Sequence, residues 1–232
     1  MKTAVIACKT VEEELRAAMR RTGTDYPITF LEQGLHNTPK KLTARLNETL
    51  AGIEADRVLL AMGFCGNAMA GVCAERSELI LPRADDCITL LLGSAARRTE
   101  VSSALAAYFL TEGWMRGERN LWVEYLHTVE RYGEETARQI AQMLYGHYRT
   151  LALLDCGTGS VEALTAQTKE AAETLHLRQQ ILPGTLRYLE ALLTGPWDEA
   201  RFLVKPAGSA IRPEELSTPR DPTGFEPVEA SE

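Results

Sequence analysis

The sequence predicts an α/β domain of the doubly wound type, with a mostly parallel sheet and helices on both of its faces. Short, continuously apolar segments alternate with longer amphipathic ones, which is typical of parallel strands buried on both sides. A chain of 232 residues can bury a sizeable core without disulfides or structural metals. We expect one domain over residues 1–205, with a helical insertion at about 97–149, and a flexible, acidic, proline-rich tail at 206–232.

Four apolar segments in the first half are the predicted strands, at residues 4–7, 28–31, 58–62 and 79–81. An amphipathic helix is expected at 12–21, between the first two strands. A second helix should run from Thr38 to about Ala51, because a threonine followed by proline provides a capping hydroxyl and a favourable first helical residue.

The second half starts with the insertion at 97–149, which the sequence predicts to be wholly helical. It is followed by an apolar strand at 151–154 and a helix to about residue 175. The remaining predicted elements are a strand at 177–182, a helix at 184–194 and a strand at 202–204. Five of the ten prolines lie after Lys205, where apolar residues are sparse, so we expect this tail to be mobile.

Composition limits the location and the partners of the protein. The formal net charge is −7, which argues against nucleic acid or an anionic membrane surface as a partner. No apolar run approaches the roughly 20 residues of a membrane span, and the first residues do not resemble a signal peptide. The five cysteines are widely spaced, which indicates reduced thiols. We therefore expect a cytoplasmic protein that acts on a small molecule.

Several of these thiols directly follow predicted parallel strands. Cys8, Cys65 and Cys87 come after the first, third and fourth strands, and Cys156 follows the strand at 151–154. The carboxyl ends of parallel strands meet at one edge of a sheet, which is where ligands bind. The second strand leads to His36 at the same edge. The sequence thus predicts that thiols converge on a binding site.

Convergent thiolates favour a soft metal ion or an iron–sulfur cluster. We predict Cys8, Cys65 and Cys87 as ligands of zinc or of a [4Fe-4S] cluster, with His36 as a candidate fourth zinc ligand. His36 and Asp86 are the nearest candidates for acid and base catalysis, and Arg83 for holding an anionic group. Simpler roles are open for each: free cysteines often pack as small apolar residues, and aspartate often caps a helix.

The candidate residues lie in long motifs: Ile6-Ala7-Cys8, Leu31 to Pro39 (LEQGLHNTP), Gly63-Phe64-Cys65-Gly66-Asn67, Arg83 to Ser94 (RADDCITLLLGS), and Gly113-Trp114. In these motifs the chain resembles the bacterial and archaeal family known as domain of unknown function 1638, over about residues 3–205. The resemblance implies Cys8, Cys65 and Cys87 as the motif cysteines. It also implies a setting beside corrinoid-dependent methyl-transfer systems, and so one-carbon metabolism.

Three functions are compatible with these observations. The leading hypothesis is a metalloprotein, a transferase or lyase, whose three-thiolate centre activates a small substrate. The second is a non-enzymatic accessory protein that binds a methyltransferase or a corrinoid protein. The third is a metal-free thiol enzyme with a single nucleophilic cysteine.

Overall fold

The computed structural model describes residues 1–117, 119–216 and Phe225. Its strands are β1 (Thr3–Cys8), β2 (Ile28–Leu31), β3 (Arg57–Ala61), β4 (Glu78–Pro82), β5 (Ala107–Leu110), β6 (Thr150–Asp155), β7 (Arg178–Pro183) and β8 (Phe202–Lys205). Five of them form a sheet in the order β2-β1-β3-β4-β8, in which only β8 is antiparallel to its neighbour. The predicted α/β class with a mostly parallel sheet is therefore confirmed.

The α-helices of the described residues occur between and after these strands. They are α1 (Glu12–Thr22), α2 (Pro39–Ala51), α3 (Cys87–Leu92), α4 (Ala95–Leu105), α5 (Glu112–Met115), α6 (Leu121–Tyr132), α7 (Glu134–Tyr145), α8 (Val161–Thr174) and α9 (Arg187–Thr194). As predicted, α2 begins with Pro39 immediately after Thr38, although the Thr38 side chain makes no capping hydrogen bond.

Alternate residues of the central strands enter two different cores. Val5 and Ala7 of β1 pack on one face of the sheet with residues of α1, α3 and α9. Ile6, between them, packs on the other face against α2. Because side chains alternate along a strand, a continuously apolar strand is what a sheet covered on both faces requires.

A second, three-stranded sheet is the main departure from the predicted fold. It has the order β5-β6-β7 and is parallel throughout. Strand β5 lies inside residues 97–149, so the expectation of a wholly helical insertion is wrong. Four apolar residues flanked by helical sequence cannot be distinguished from a buried helical turn by periodicity alone.

The chain after Lys205 is anchored as far as it is described. Ile211 is buried, and its backbone exchanges hydrogen bonds with Gly71 and Val72 at 2.8 and 2.9 Å. Lys205 pairs with Glu215 at 3.0 Å, largely shielded from solvent. The segment 206–216 is therefore packed against the rest of the domain, while 217–224 and 226–232 lie outside the described residues. The mobility of the tail stays a prediction.

Within residues 1–117 and 119–216, no helix combines the length and the apolar character that a membrane crossing requires.

Candidate functional site

Three neighbouring parallel strands deliver three cysteines to one edge of the five-stranded sheet. Cys8 is the last residue of β1, Cys65 follows β3, and Cys87 begins α3 after β4. Since β3 pairs with both β1 and β4 in parallel, the loops that leave these strands are adjacent. The topology therefore brings together residues that are up to 79 positions apart in the sequence.

The three side chains form a continuous row of interacting thiols. Hydrogen bonding to Cys87 is the largest cause that raises the pKa of Cys8 well above its ordinary value, followed by burial. Hydrogen bonding to Cys65 is the largest cause that raises the pKa of Cys87. Cys8 also contacts the Thr10 hydroxyl, with 3.1 Å between Sγ and Oγ1. Cys8 and Cys87 are therefore protonated thiols at neutral pH, and Cys87 is the link between the other two.

Gly63 allows the loops that carry Cys65 and Cys87 to touch. A Cβ atom at this position would lie 2.6 Å from both the backbone nitrogen and the Cα of Asp86. Two backbone hydrogen bonds close the same contact, from Phe64 N to Ala84 O at 2.7 Å and from Cys65 N to Asp85 O at 2.9 Å. The backbone of Gly63 also interacts with the Cys87 thiol. A side chain at residue 63 would separate the two loops.

Cys65 itself has a left-handed backbone conformation, with φ at 48°. Cysteine rarely adopts this conformation, which costs of order 1 kcal/mol and occurs disproportionately at functional sites. Gly66 follows with φ at 69° and so continues the turn without a steric penalty. The turn holds the half-buried Cys65 thiol beside Cys87 at a conformational cost.

A cavity of about 240 Å³ opens over two of the three thiols. Its lining residues are Thr10, His36, Cys65, Asp86, Cys87, Ile88, Arg98, Ala107, Tyr108, Phe109, Trp114 and Tyr148. The thiols come from the five-stranded sheet, whereas the aromatic residues come from β5 and the segments that follow it. Cys8 is not among the lining residues, but it is hydrogen-bonded to Cys87, which is. The cavity therefore lies between the two sheets.

His36 lies in this cavity, as the sequence predicted for the edge after β2. The imidazole packs edge-on against the Trp114 ring, with 6.4 Å between the ring centres. Burial lowers its pKa, and the negative charge of Asp86 offsets part of that effect. His36 is therefore neutral at physiological pH, as a proton acceptor or a metal ligand must be.

Asp86 also lines the cavity, but both of its carboxylate oxygens have partners. Oδ1 accepts hydrogen bonds from the backbone nitrogen of Thr89 at 2.7 Å and from its hydroxyl at 2.8 Å, so Asp86 caps α3. Oδ2 accepts from Nε and from a terminal nitrogen of Arg98, each at 3.2 Å. The structure thus supports an orienting role for Asp86 more strongly than the predicted role in proton transfer.

Arg83 is not brought to the cavity. Its guanidinium donates to the backbone carbonyls of Glu199 at 2.8 Å and Glu215 at 3.0 Å, which fixes the C-terminal segment against the sheet. The expectation that Arg83 holds an anionic group in the site is therefore corrected. Arg98, which sequence reasoning missed, lines the cavity, pairs with Asp86 and stacks on the Phe109 ring at 4.5 Å.

The two other cysteines do not join the row. Cys73 lines a separate small cavity with α2 residues, and Cys156 is buried in the core, where Gly184 packs directly on its sulfur. Within the described ranges, no group of three or more His, Cys, Asp or Glu side chains has the geometry of a preformed metal site. Any ion would have to replace protons in the row of hydrogen-bonded thiols.

Glu14 is a buried ionisable residue that sequence reasoning also missed. It is 1% exposed, in the part of α1 that contacts α5, and its Oε2 atom has no hydrogen-bond partner. Burial raises the pKa of this carboxyl from 4.5 to about 7. A glutamate at an apolar helical position is a signal for such a group, but the three consecutive glutamates Glu12, Glu13 and Glu14 conceal it.

A family model described as DUF1638, protein of unknown function, matches residues 30–193, which is well over half of the chain. The matched range includes Cys65 and Cys87 but begins after Cys8. No curated protein and no solved structure matched the chain.

Proposed function

We propose that this chain, which belongs to the DUF1638 family, binds a zinc ion or an iron–sulfur cluster through Cys8, Cys65 and Cys87 and acts on a small molecule held in the adjoining cavity. The observation that carries the proposal is the row of three interacting thiols at the carboxyl edge of parallel strands. Thiolates are the ligands that zinc, copper(I) and iron–sulfur clusters prefer.

The protonation of Cys8 and Cys87 is compatible with such a centre. Protonated thiols share protons with one another, and a bound cation takes the place of those protons when it binds. The strained backbone of Cys65 and the close contact at Gly63 both hold sulfur atoms together. A purely structural cysteine would need neither feature, because a small apolar residue packs without them.

Raised pKa values argue against a metal-free thiol enzyme. A nucleophilic cysteine requires a lowered pKa, from a neighbouring cation, a histidine or a metal. Hydrogen bonding to Cys87 and burial raise the pKa of Cys8, and hydrogen bonding to Cys65 and burial raise the pKa of Cys87. A bound cation would lower the pKa of both thiols. This favours the metal hypothesis over the thiol-enzyme hypothesis.

Three thiolates would leave one coordination position for the substrate, and a metal there would act as a Lewis acid or activate a bound thiol. The chain's own residues supply the surroundings. His36 is neutral and can accept a proton, and Arg98 presents a positive charge whose direction Asp86 fixes. Tyr108, Phe109, Trp114 and Tyr148 supply the aromatic part of the cavity lining. We propose in addition that the protein acts in one-carbon metabolism, as the resemblance to the family implies.

The test is anaerobic purification with elemental analysis of the wild type and of three single variants, Cys8→Ala, Cys65→Ala and Cys87→Ala. We expect about one zinc per wild-type chain, or iron with acid-labile sulfide, and at least a tenfold loss of metal in each variant. Losing one of three shared ligands weakens the whole centre, so the three effects should be similar.

Cys73→Ala is the matched control, because it removes a thiol from a different part of the surface and should leave the metal content unchanged. A metal-free wild type would contradict the proposal. Full metal content in any one of the three variants would remove that cysteine from the ligand set. Thermal melting of each variant separates loss of metal from loss of fold.

Zinc affinity should rise steeply with pH. Because Cys8 and Cys87 carry protons at neutral pH, binding must release at least these two, so the affinity should increase by roughly a hundredfold or more per pH unit. Calorimetric titration in buffers of different ionisation enthalpy measures the released protons. A binding constant that does not change between pH 6 and 8, to within about twofold, would show that the two thiols are not ligands.

A further inference from the structure

A larger cavity, of about 570 Å³, lies beside the thiol cavity and shares residues with it. His36, Tyr108, Trp114 and Tyr148 line both. The remaining wall comes from α6, α7 and the loop around Gly34. The two cavities are therefore adjacent, although Cys65 and Cys87 line only the smaller one.

The walls of this cavity are unusually rich in aromatic rings. Tyr108 is at the centre of the group, with its ring centre 6.2 Å from that of Trp114, 6.0 Å from that of Tyr145 and 5.4 Å from that of Tyr148. The two tyrosine pairs are nearly perpendicular, at 82° and 86°. Rings arranged at right angles present faces in more than one direction around the same space.

Among the described residues, no arginine or lysine stacks on Tyr108, Trp114, Tyr145 or Tyr148. Elsewhere in the described residues, arginines stack on Phe30, Phe109, Tyr132, Trp197 and Phe225. None of those five rings lines the larger cavity. Arg119 is the only lysine or arginine among its described lining residues, and it stacks on no ring there.

One carboxylate completes the group. Glu124 of α6 lines the cavity, and its negative charge contributes to raising the pKa of Tyr108 and the pKa of Tyr145. The electron-rich faces of aromatic rings, together with a nearby carboxylate, attract a cation whose charge is spread over methyl groups. A primary ammonium is more strongly hydrated and would need several hydrogen-bond acceptors instead.

From this arrangement we infer that the larger cavity is a binding site for methylated ammonium compounds, recognised by Tyr108, Trp114, Tyr145 and Tyr148 with Glu124 as the counter-charge. One part of the inference rests on the proposed function: that the bound ammonium compound is the small molecule on which the thiol centre acts. Binding itself requires no metal, so the two proposals can fail separately.

The test is calorimetric titration of the full chain with choline and with 3,3-dimethyl-1-butanol, which has the same shape but no charge. We expect choline to bind at least tenfold more tightly than the uncharged isostere, because cation–π attraction acts only on the charged ligand. Ethanolamine, which has a primary ammonium, should bind more weakly than choline. Equal affinity for the charged and uncharged ligands, or no binding of choline at millimolar concentration, would overturn the inference.

Two substitutions connect the binding to this cavity. Tyr145→Leu keeps apolar volume but removes the ring, and should weaken choline binding about tenfold, whereas Tyr145→Phe should keep most of it. Tyr132→Leu is the control, since Tyr132 is 54% exposed and lies outside the cavity lining. Glu124→Gln removes the counter-charge and should therefore weaken choline binding. Because Glu124 is exposed, the substitution should leave the fold unchanged. Unchanged choline binding in both Tyr145→Leu and Glu124→Gln would contradict the assignment.

The Cys65→Ala variant separates the two proposals. It should bind choline as the wild type does, and Tyr145→Leu should retain the wild-type metal content. Selective choline binding by a metal-free wild type would remove the proposed centre and leave the ammonium site. A wild type that contains the metal but does not distinguish choline from its isostere would remove the ammonium site and leave the proposed centre.

Discussion

Gly63→Ala should lose the metal content of the wild type and should destabilise the fold by about 1–3 kcal/mol. The added methyl group would lie 2.6 to 2.7 Å from three backbone atoms of Asp86. Backbone atoms cannot turn away as the end of a flexible side chain can, so the two loops must separate. Cys65 and Cys87 would then no longer interact, and elemental analysis with chemical denaturation measures both effects.

Gly52→Ala is the matched control. Gly52 ends α2 with an ordinary φ of −91°, and an added Cβ would approach the carbonyl oxygen of Thr49 no closer than 3.6 Å. That substitution should change the stability by less than about 0.5 kcal/mol. If Gly63→Ala retained wild-type metal content, the loop contact would not be needed to hold the two sulfur atoms together.

Glu14→Gln should stabilise the protein at high pH. The buried carboxyl has a pKa of about 7 against an ordinary value of 4.5, so the folded state keeps a proton that the unfolded state releases. Stability is therefore lost as the pH rises from 4.5 to about 7, and it stays lower above that. The substitution should recover about 3 kcal/mol above pH 7, and the gain should vanish as the pH falls to 4.5. Urea denaturation across this range measures the difference.

Glu13→Gln is the corresponding control on the same helix. The Glu13 side chain is 26% exposed and pairs with Arg116, so its substitution removes the same charge from a less buried, ion-paired position. We expect a small effect of that substitution on the pH dependence. A pH profile of Glu14→Gln that parallels the wild type would mean that Glu14 does not titrate in the folded protein near neutral pH.

Much of the fold could be predicted because it follows from local patterns. Continuous apolar runs marked β1, β3, β4 and β6, and the Thr38-Pro39 pair marked the start of α2. The convergence of Cys8, Cys65 and Cys87 could also be predicted, since it depends only on parallel strands sharing one edge. These inferences need only the order of strands and helices along the chain, and not which parts of the folded chain contact one another.

Other features depend on contacts between distant parts of the chain. Strand β5 exists because it pairs with β6, more than 40 residues later, and nothing in its four residues distinguishes it from a helical turn. Arg83 and Arg98 are equally suited by type to hold an anion, and only tertiary contacts turn one to the C-terminal segment and the other to the cavity. The burial of Ile211 likewise requires the surface formed around Gly71.

The thiols follow strands of the five-stranded sheet, whereas the aromatic residues that line the cavities belong to β5 and the segments after it. This separation decides which substitutions affect the rings and which affect the thiols. Replacing rings at Tyr145 or Tyr148 alters what fits the site without moving any sulfur atom, because the loops of β1, β3 and β4 pack independently of α7. The rings that line the cavities and the row of three thiols can thus be varied one at a time. A designer could exchange the hairpin of α6 and α7 for another and keep Cys8, Cys65 and Cys87 in place.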